Sequence, residues 1–374
     1  MRCNTLINIL DDFNDDVAYI SKFMKPNKVI NIVDKSKNSV DVLTDMERFL
    51  NKQLKDTIII EKVYTNPMHL NKIISDYIDN DTIINISSGD NLSSVIAHQA
   101  MIEYNCSLIY MDILNEKVYK LNKQGMKMIK YENINFRVKD YISITGGKIV
   151  TDETFDYVIK DYNNMLNIIL NNYDLWIETR DYIRNNIVSQ VNDNIVIRSS
   201  ELNKDIIKLF KSFCNIKCVK NVYENDNNIT IMFKNEDIRK YILSGIWLEH
   251  FTYNIVKQNS KVHDVRTGVR FLWDEDRIEV ENELDVIAVA GTTLLCISCK
   301  DTKRYNSGSL NELDIYAEQI GGSTVKKILV ATKPSKGQYV DERAERMGIN
   351  LVVFDGDVDK FTKEINYIIE GTVV

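Results

Sequence analysis

A run of acidic side chains precedes a lysine in one short stretch of the sequence. Four carboxylates occupy alternate positions, at Glu279, Glu281, Glu283 and Asp285, and Lys300 follows after an apolar segment. Because the side chains of a β-strand alternate between its two faces, this spacing predicts that the four carboxylates share one face. A lysine beside clustered carboxylates is typical of a metal-dependent phosphodiesterase.

The apolar segment before Lys300 predicts a β-hairpin. Gly291-Thr292 separates two apolar stretches, and a two-residue turn that begins with glycine suits this position. The resulting register places Asp285 opposite Ser298 and Glu283 opposite Lys300. The apolar flanks predict a buried hairpin, in which unpaired carboxylates are costly. The alternative is a solvated edge hairpin whose Glu–Lys pairs each contribute roughly 0.2–1 kcal/mol.

Phosphodiester hydrolysis explains why these residue types would stand together. The reaction needs an activated water and neutralised charge at the phosphate, and carboxylate-bound Mg²⁺ or Mn²⁺ supplies both. A lysine amine near the metal orients the water or stabilises developing charge. Asp285, Glu283 and Lys300 fit these roles, and Glu249 can reach in from the preceding helix. We therefore predict Glu249, Glu283 and Asp285 as the metal ligands.

The composition predicts a soluble, cytoplasmic protein of two or three domains. The 374 residues are 44% hydrophobic and 27% charged, and no apolar run reaches the ~18–20 residues that a membrane helix needs. No signal peptide is expected at Met1, and six cysteines without a disulfide framework favour a reducing cytosol. The net charge of −7 is unusual for a nucleic-acid binder, so such a role would rest on a local site with bound cations.

The first 150 residues predict a parallel sheet with helices on both faces. Apolar runs at 5–10, 29–33, 57–60, 82–86 and 107–111 alternate there with helix-like segments. Ligands bind beyond the carboxyl ends of the strands in such sheets, and loops at 11–16 and 87–91 occupy that place. The second loop either binds phosphate at a helix start or simply caps that helix. No Gly-x-Gly-x-x-Gly follows the first run, which argues against a dinucleotide-dependent oxidoreductase.

The remaining sequence divides into a connector and a second α/β unit. Residues 151 to about 192 predict almost continuous helix, suited to a connector or a dimer-forming element. Short strands and helices follow up to 236. The second unit comprises a helix over 238–256, the acidic hairpin, a helix over 310–320 and buried strands at 328–331 and 351–354. We therefore predict three parts: 1–150, 151–236 and 237–374.

Taken together, the chain resembles CRISPR-associated effectors that join a CARF sensor domain to a restriction-endonuclease-like nuclease domain of the PD-(D/E)xK superfamily. In the sensor, Asn-Ile-Ser-Ser-Gly-Asp-Asn-Leu at 85–92 is similar to the ligand loop of that family. The segment at 138–142, followed by Thr145-Gly146, is similar to the end of that domain. In the nuclease, the resemblance rests on the segments at 245–249, 282–286 and 299–300 and on Gly321-Gly322.

The resemblance implies a fold, a ligand and an activity. The fold would be an N-terminal Rossmann-like CARF domain, a helical and mixed connector, and a C-terminal restriction-endonuclease-like α/β domain. Two sensor domains of a homodimer would form one pocket for a cyclic oligoadenylate, most often cyclic tetra-adenylate. Its binding would activate metal-dependent cleavage of DNA, RNA or both in type III CRISPR antiviral defence. The implied pocket residues are Leu10, Asp11, Asp12, Asn14, Ser87, Ser88, Gly89, Asp90, Asn91 and Leu92.

The resemblance also assigns roles within the predicted catalytic site. Asp285 would be the principal metal ligand, Lys300 the catalytic lysine, Glu249 the helix-borne acid and Glu283 a neighbouring ligand. The site departs from the family at one position, because the acidic residue two positions before the lysine is Ser298 here. We expect Glu283, on the same face, to compensate. The alternatives are a cyclic-oligoadenylate receptor with a degenerate, non-cleaving nuclease domain, and a sensor that degrades its own ligand.

Overall fold

The structure is a computed structural model that describes most of the chain. The described residues are 2–35, 39–130, 134–154, 160–225, 227–274, 281–302, 305–335 and 338–371. Within them the chain forms three β-sheets surrounded by helices. Glu279 lies outside these residues, so its place beside the other carboxylates stays a prediction.

A seven-stranded sheet organises the N-terminal part, in the order β3-β2-β1-β4-β5-β6-β7. Its strands are β1 (Thr5–Ile9), β2 (Lys28–Asp34), β3 (Ile58–Tyr64), β4 (Thr82–Asn85), β5 (Ser107–Asp112), β6 (Lys117–Asn122) and β7 (Gly125–Ile129). The helices are α1 (Asp15–Met24), α2 (Ser39–Gln53), α3 (Pro67–Tyr77), α4 (Asn91–Tyr104) and α5 (Val138–Ile144). The next strand, β8 (Lys148–Thr151), belongs to the six-stranded sheet described below. Because β1 to β5 pair in parallel, the predicted parallel sheet is confirmed.

The parallel strands are continuous apolar runs because both faces of this sheet are covered. Every residue of β1 is buried, and its one amide side chain, Asn8, finds partners in both neighbouring strands. Asn8 donates to Asn31 of β2, and Asn85 of β4 donates to Asn8, each at 3.1 Å. The sheet extends in opposite directions from β1 and β4. The loops after these two strands therefore border the crevice in which such sheets bind ligands.

The connector contains a four-stranded antiparallel sheet in the order β11-β12-β10-β9. Its elements are α6 (Lys160–Asn171), α7 (Tyr173–Asn186), β9 (Ile187–Val191), β10 (Asn194–Arg198), α8 (Asn203–Asn215), β11 (Val219–Asn225) and β12 (Asn228–Phe233). The prediction of nearly continuous helix to about residue 192 was wrong after Asn186, where β9 begins. This segment is rich in Ile and Val, whose β-branched side chains favour a strand.

A six-stranded mixed sheet, ordered β17-β16-β15-β14-β13-β8, carries the acidic hairpin. Its elements after the connector are α9 (Glu236–Ser244), α10 (Ile246–Gln258), β13 (Val262–Leu272), β14 (Asn282–Ala290), β15 (Thr293–Lys300), α11 (Ser307–Gly321), β16 (Lys326–Ala331), α12 (Gln338–Arg346), β17 (Ile349–Val353) and α13 (Val358–Glu370). The single helix predicted over 238–256 is two helices, because Gly245 adopts a φ of 97° that ends α9. The predicted boundary at 150/151 falls inside β8, which pairs with β13.

The N-terminal part and the C-terminal sheet pack directly against each other. One hydrophobic cluster includes Tyr141 of α5 together with Phe271 and Leu284 of the C-terminal sheet. The hydroxyl of Tyr141 donates to the carbonyl of Thr292 at 2.7 Å, and the hydroxyl of Thr292 donates to the carbonyl of Ile113. The turn of the acidic hairpin is therefore anchored on the N-terminal part of the chain.

Candidate active site and ligand pocket

The acidic hairpin has the predicted register. β14 and β15 pair antiparallel from Val286 opposite Ile297 to Ala290 opposite Thr293. Gly291 supplies the positive φ, 59°, that a two-residue hairpin turn of this kind requires. One residue beyond the pair of Val286 and Ile297, the hydroxyl of Ser298 lies 3.1 Å from a carboxylate oxygen of Asp285.

Asp285 is held in place by three donors from β15. One oxygen, Oδ2, accepts hydrogen bonds from the Ser298 hydroxyl at 3.1 Å and from the backbone N–H of Cys299 at 2.6 Å. The same oxygen lies 3.5 Å from the ammonium of Lys300. Ser298 therefore acts in this structure as a donor that orients Asp285, which a carboxylate at position 298 would not be.

Lys300 keeps its charge despite its partial burial. Desolvation lowers the pKa of Lys300, because burial disfavours the ammonium. The negative charges of Asp285 and Glu312 favour the ammonium more strongly, so the pKa of Lys300 lies above its usual value. The lysine is therefore protonated at neutral pH and presents a fixed positive charge beside the aspartate.

Glu249 approaches this pair from the first turn of α10. Burial, followed by the negative charges of Asp285, Glu153 and Glu283, raises the pKa of Glu249 well above its usual range. Glu153 lies just after β8 and was missed by the sequence analysis. It is far from the acidic run along the chain, and only the pairing of β8 with β13 brings it near.

Glu283 lies at the outer edge of the site. It stands opposite Arg270 of β13, and the two side chains form an ion pair at 3.2 Å while each stays nearly half exposed. Glu283 thus faces the same cavity as Asp285, as predicted, and it is also paired with Arg270. Its expected compensation for Ser298 stays a prediction.

The predicted residues open onto a small cavity of about 120 Å³. It is lined by Glu283, Leu284, Asp285, Ser298, Lys300, Glu312, Leu313 and Tyr316. The last three belong to α11, which the sequence predicted as a helix without indicating that it faces the hairpin. Among the described residues, Glu249 does not line this cavity. It interacts with the cavity residue Asp285 through its charge.

The donor chemistry of this site suits a hard divalent cation, since its acidic side chains offer only oxygen. Within the described part of the chain, however, no three His, Cys, Asp or Glu side chains converge closely enough to hold an ion. Burial, followed by the negative charge of Asp285, raises the pKa of Glu249, and a cation bound nearby would favour the ionised form of this carboxyl. The residues therefore fit a cation that completes the site as it binds.

A buried polar network supports the strand end that carries Lys300. The next residue, Asp301, pairs with the fully buried Arg180 and with Arg184 at 3.1 Å. It also accepts a hydrogen bond from the indole N–H of Trp247 at 2.9 Å. Both arginines belong to α7, so the connector fixes the end of β15, although its sequence indicated no chemical role.

The two loops predicted to bind a ligand meet beyond the ends of β1 and β4. The hydroxyl of Ser88 donates to Asp16 at 2.6 Å. Gly89 has a φ of 87°, and a Cβ there would lie 2.8 Å from the side chain of Ile9, so only glycine fits. The loops border a cavity of about 340 Å³, whose other walls are residues 110–114 and the turn at 321–324, which ends α11.

The ten predicted pocket residues take different positions around this crevice. Four line the cavity of about 340 Å³: Asp11, Ser87, Ser88 and Gly89. Asp12 and Asn14 line a neighbouring cavity of about 500 Å³, whereas Leu10 is buried in the core. Asp90 caps α4 by accepting from the N–H of Ser93 at 2.7 Å, and Asn91 and Leu92 begin that helix with exposed side chains.

Two further carboxyls line the cavity of about 340 Å³, Asp15 and Asp16 at the start of α1. Burial raises the pKa of Asp15 to about 6. Burial, together with the charge of Asp15, raises the pKa of Asp16 to about 7. Near neutral pH these groups are therefore partly protonated, and the cavity is less negative than its composition suggests.

None of the helices in the described ranges combines the length and the apolar character that a membrane span needs.

Residues 235–366 match the family model of the Card1-like endonuclease domain. Among curated proteins, the ankyrin repeat protein L371 of Acanthamoeba polyphaga mimivirus is 28% identical over 202 residues, which are 52% of this chain. The chain covers only 23% of that relative's length.

Several solved structures share the fold. Can2 from Sulfobacillus thermosulfidooxidans, in complex with cyclic tetra-adenylate, has a TM-score of 0.75 and 16% identity, covering 98% of this chain and 100% of its own. Protein VC1899 from Vibrio cholerae has a TM-score of 0.77 and 17% identity, covering 98% and 97%. A type III CRISPR defence DNA nuclease activated by cyclic oligoadenylate has a TM-score of 0.54 and 13% identity, covering 97% and 52%. Residues 235–366 are therefore similar to the Card1-like endonuclease domain, and the chain has the fold of Can2 over nearly its whole length.

Proposed function

We propose that this protein is a metal-dependent nuclease that cyclic tetra-adenylate activates in type III CRISPR antiviral defence. The observation that carries the proposal is the contact of Asp285 with Lys300 in a cavity of a Card1-like endonuclease domain, with Glu249 nearby. The complex of Can2 with cyclic tetra-adenylate, which shares the fold, supports the choice of ligand.

The proposed chemistry follows from what each side chain can do. Mg²⁺ or Mn²⁺ held by Glu249 and Asp285, with Glu283 as a neighbour, would supply Lewis acidity and an activated water. The ammonium of Lys300 stabilises negative charge that develops on the phosphate oxygens. Ser298 and the N–H of Cys299 keep the Asp285 carboxylate oriented. Because the pKa of Glu249 is raised, a proton competes with the cation at this carboxyl.

The cavity of about 340 Å³ lined by Asp11, Asp15 and Asp16, here called the sensor cavity, suits the nucleoside part of the proposed ligand. Carboxylates accept hydrogen bonds from the amino group of adenine and from ribose hydroxyls. The phosphates carry the negative charge, so each proton that Asp15 and Asp16 retain reduces repulsion between cavity and ligand.

We expect the affinity for cyclic tetra-adenylate to fall by about tenfold between pH 6 and pH 8. Asp16, with a pKa of about 7, loses its proton over this range and adds a negative charge beside an anionic ligand. Calorimetric titration at both pH values measures the change. Asp16→Asn should flatten the pH dependence, whereas Asp76→Asn, at an exposed acid on α3, should leave it unchanged. An equally steep dependence in Asp16→Asn would contradict this role.

The protein is proposed to act as a homodimer whose sensor domains meet through α4. Three large apolar side chains of this helix are exposed: Leu92, Val95 and Ile102. Their spacing places them on one face, and a second copy of that face would cover this apolar strip. The strip begins at the predicted ligand loop, so dimerisation would bring two such loops together.

Val95→Glu is expected to convert the dimer to a monomer, because a carboxylate at a self-complementary interface meets its own copy. Size-exclusion chromatography with light scattering measures the mass. Val191→Glu, at an equally exposed valine of β9, is the matched control and should not change the mass. A wild-type protein that is monomeric at high concentration would contradict the dimer.

A second function has a specific observation in its favour. Ser298 replaces the acidic residue expected from the resemblance, and no three acidic side chains are preassembled among the described residues. These facts would suit a cyclic-oligoadenylate receptor with a non-cleaving nuclease domain. A cleavage panel separates the two functions: plasmid, single-stranded DNA and RNA, each with Mg²⁺ or Mn²⁺ and each cyclic oligoadenylate in turn. Cleavage in any combination supports the nuclease, and ligand binding without cleavage supports the receptor.

A further inference from the structure

Helix α11 and the turn that ends it line both the candidate active-site cavity of about 120 Å³ and the cavity of about 340 Å³ at the predicted ligand loops. Glu312 and Tyr316, in its middle, face the cavity beside Asp285 and Lys300. The turn at 321–324, which ends the helix, faces the sensor cavity. At 1.5 Å per residue, the two sites on this helix are about 13 Å apart along its axis. One rigid element therefore connects the ligand pocket to the candidate active site.

The contact between α11 and the sensor loop consists of an aromatic ring against a glycine. Phe13, in the loop after β1, is 43% exposed and lines both the cavity of about 340 Å³ and that of about 500 Å³. A Cβ at Gly322 would lie 3.0 Å from Cγ of this ring. Gly322 also has a φ of 61°, which side chains rarely adopt. Movement of the Phe13 ring toward Gly322 would therefore press on the backbone where α11 ends.

The acidic hairpin is attached to the sensor in a different way. Its turn is fixed by hydrogen bonds, from Tyr141 to Thr292 at 2.7 Å and from the N–H of Thr292 to Glu116 at 3.2 Å. The hairpin thus keeps its place relative to the sensor, while the end of α11 rests on a side chain that is open to a cavity. A ligand in that cavity would therefore contact the side chain that faces the end of α11.

We propose that the turn at 321–324 of the nuclease domain forms one wall of the cyclic oligoadenylate site, so that ligand occupancy repositions α11 through the contact of Phe13 with Gly322. The inference rests on the proposed function and deepens it. The ligand presents purine rings, which stack on an aromatic side chain such as Phe13. Its phosphates would pass close to the exposed Ser323. The contact of Phe13 with Gly322 would then serve both ligand binding and activation.

The first test adds a negative charge to the turn. Ser323→Glu should weaken binding of cyclic tetra-adenylate by tenfold or more, because the new carboxylate would face the ligand phosphates. Gln319→Glu adds the same charge about one turn earlier on α11, in the neighbouring cavity of about 500 Å³, and should change affinity by less than about threefold. Calorimetry on the full-length protein measures both. Equal affinity of Ser323→Glu and wild type would overturn the proposal.

The second test follows α11 itself. Trp273 packs on Tyr316 with ring centroids 5.7 Å apart, whereas Trp176 and Trp247 are fully buried elsewhere. Saturating cyclic tetra-adenylate should therefore change the tryptophan emission of the wild type, and Trp273→Phe should abolish that change. Phe13→Ala, at saturating ligand, should bind but show neither the emission change nor stimulated cleavage.

Two outcomes separate this inference from the proposed function on which it rests. A full emission change and full stimulation in Phe13→Ala would overturn the coupling while leaving the ligand and the nuclease assignment intact. Failure of the wild type to bind any cyclic oligoadenylate would overturn the ligand assignment and this proposal with it.

Discussion

Replacing Asp285 with asparagine is expected to lower ligand-stimulated cleavage by about 10²–10³-fold or more. The substitution removes the negative charge that holds the Lys300 ammonium 3.5 Å away and the carboxylate proposed to bind the cation. Shape and most hydrogen bonds are kept, so the variant should fold. Single-turnover cleavage of labelled DNA and RNA, with Mn²⁺ and cyclic tetra-adenylate, measures the rate constant.

Ser298→Ala is the matched control for this prediction. It removes one donor to Asp285 but leaves the N–H of Cys299 and the charge of Lys300 in place. Loss of one such hydrogen bond corresponds to roughly 0.5–1.5 kcal/mol, or at most about tenfold in rate. Activity of Asp285→Asn equal to that of the wild type would refute the assignment of the site.

Asp301→Asn is expected to lower the free energy of unfolding by about 3 kcal/mol or more. Arg180 is fully buried and pairs with Asp301 and with the partly exposed Asp181, so removal of the Asp301 charge leaves the buried guanidinium with the more solvated of these two partners. Denaturant unfolding followed by circular dichroism measures the change. Asp355→Asn breaks an exposed pair with Lys360 and is the control, for which no measurable change is expected. Similar midpoints for both variants would show that the buried network contributes little.

The same network predicts an effect on activity below the unfolding transition. Asp301 follows Lys300 directly, and its partners on α7 and α10 hold the end of β15 in place. Loosening of that strand end should therefore lower the cleavage rate of Asp301→Asn more than its affinity for the ligand, because other elements form the ligand cavity.

The hairpin could be predicted from sequence because its signals are local. Alternating carboxylates, apolar flanks and a glycine at the turn define the register without reference to the rest of the chain. The parallel sheet was equally accessible, since buried parallel strands are continuous apolar runs. The β6–β7 hairpin was not predicted, because polar and apolar residues are interspersed in these edge strands and form no such run.

The parts of the site that could not be predicted come from distant segments. Glu153, Glu312 and the two arginines of α7 reach the hairpin only through the packing of β8, α11 and the connector. Their local sequences look like ordinary exposed acids or helix surface. Gly245 was recognised as part of a motif, but its local sequence did not indicate that a φ of 97° there would separate α9 from α10, or that Asp301 would approach it too closely for a side chain.

The most direct test of the central claim is the cleavage rate of the wild-type protein, with Mn²⁺, in the presence and absence of cyclic tetra-adenylate. The proposed function predicts strong stimulation by the ligand and loss of the stimulated rate in Asp285→Asn. Binding of the ligand with no cleavage of plasmid, single-stranded DNA or RNA, or equal rates with and without ligand, would contradict it.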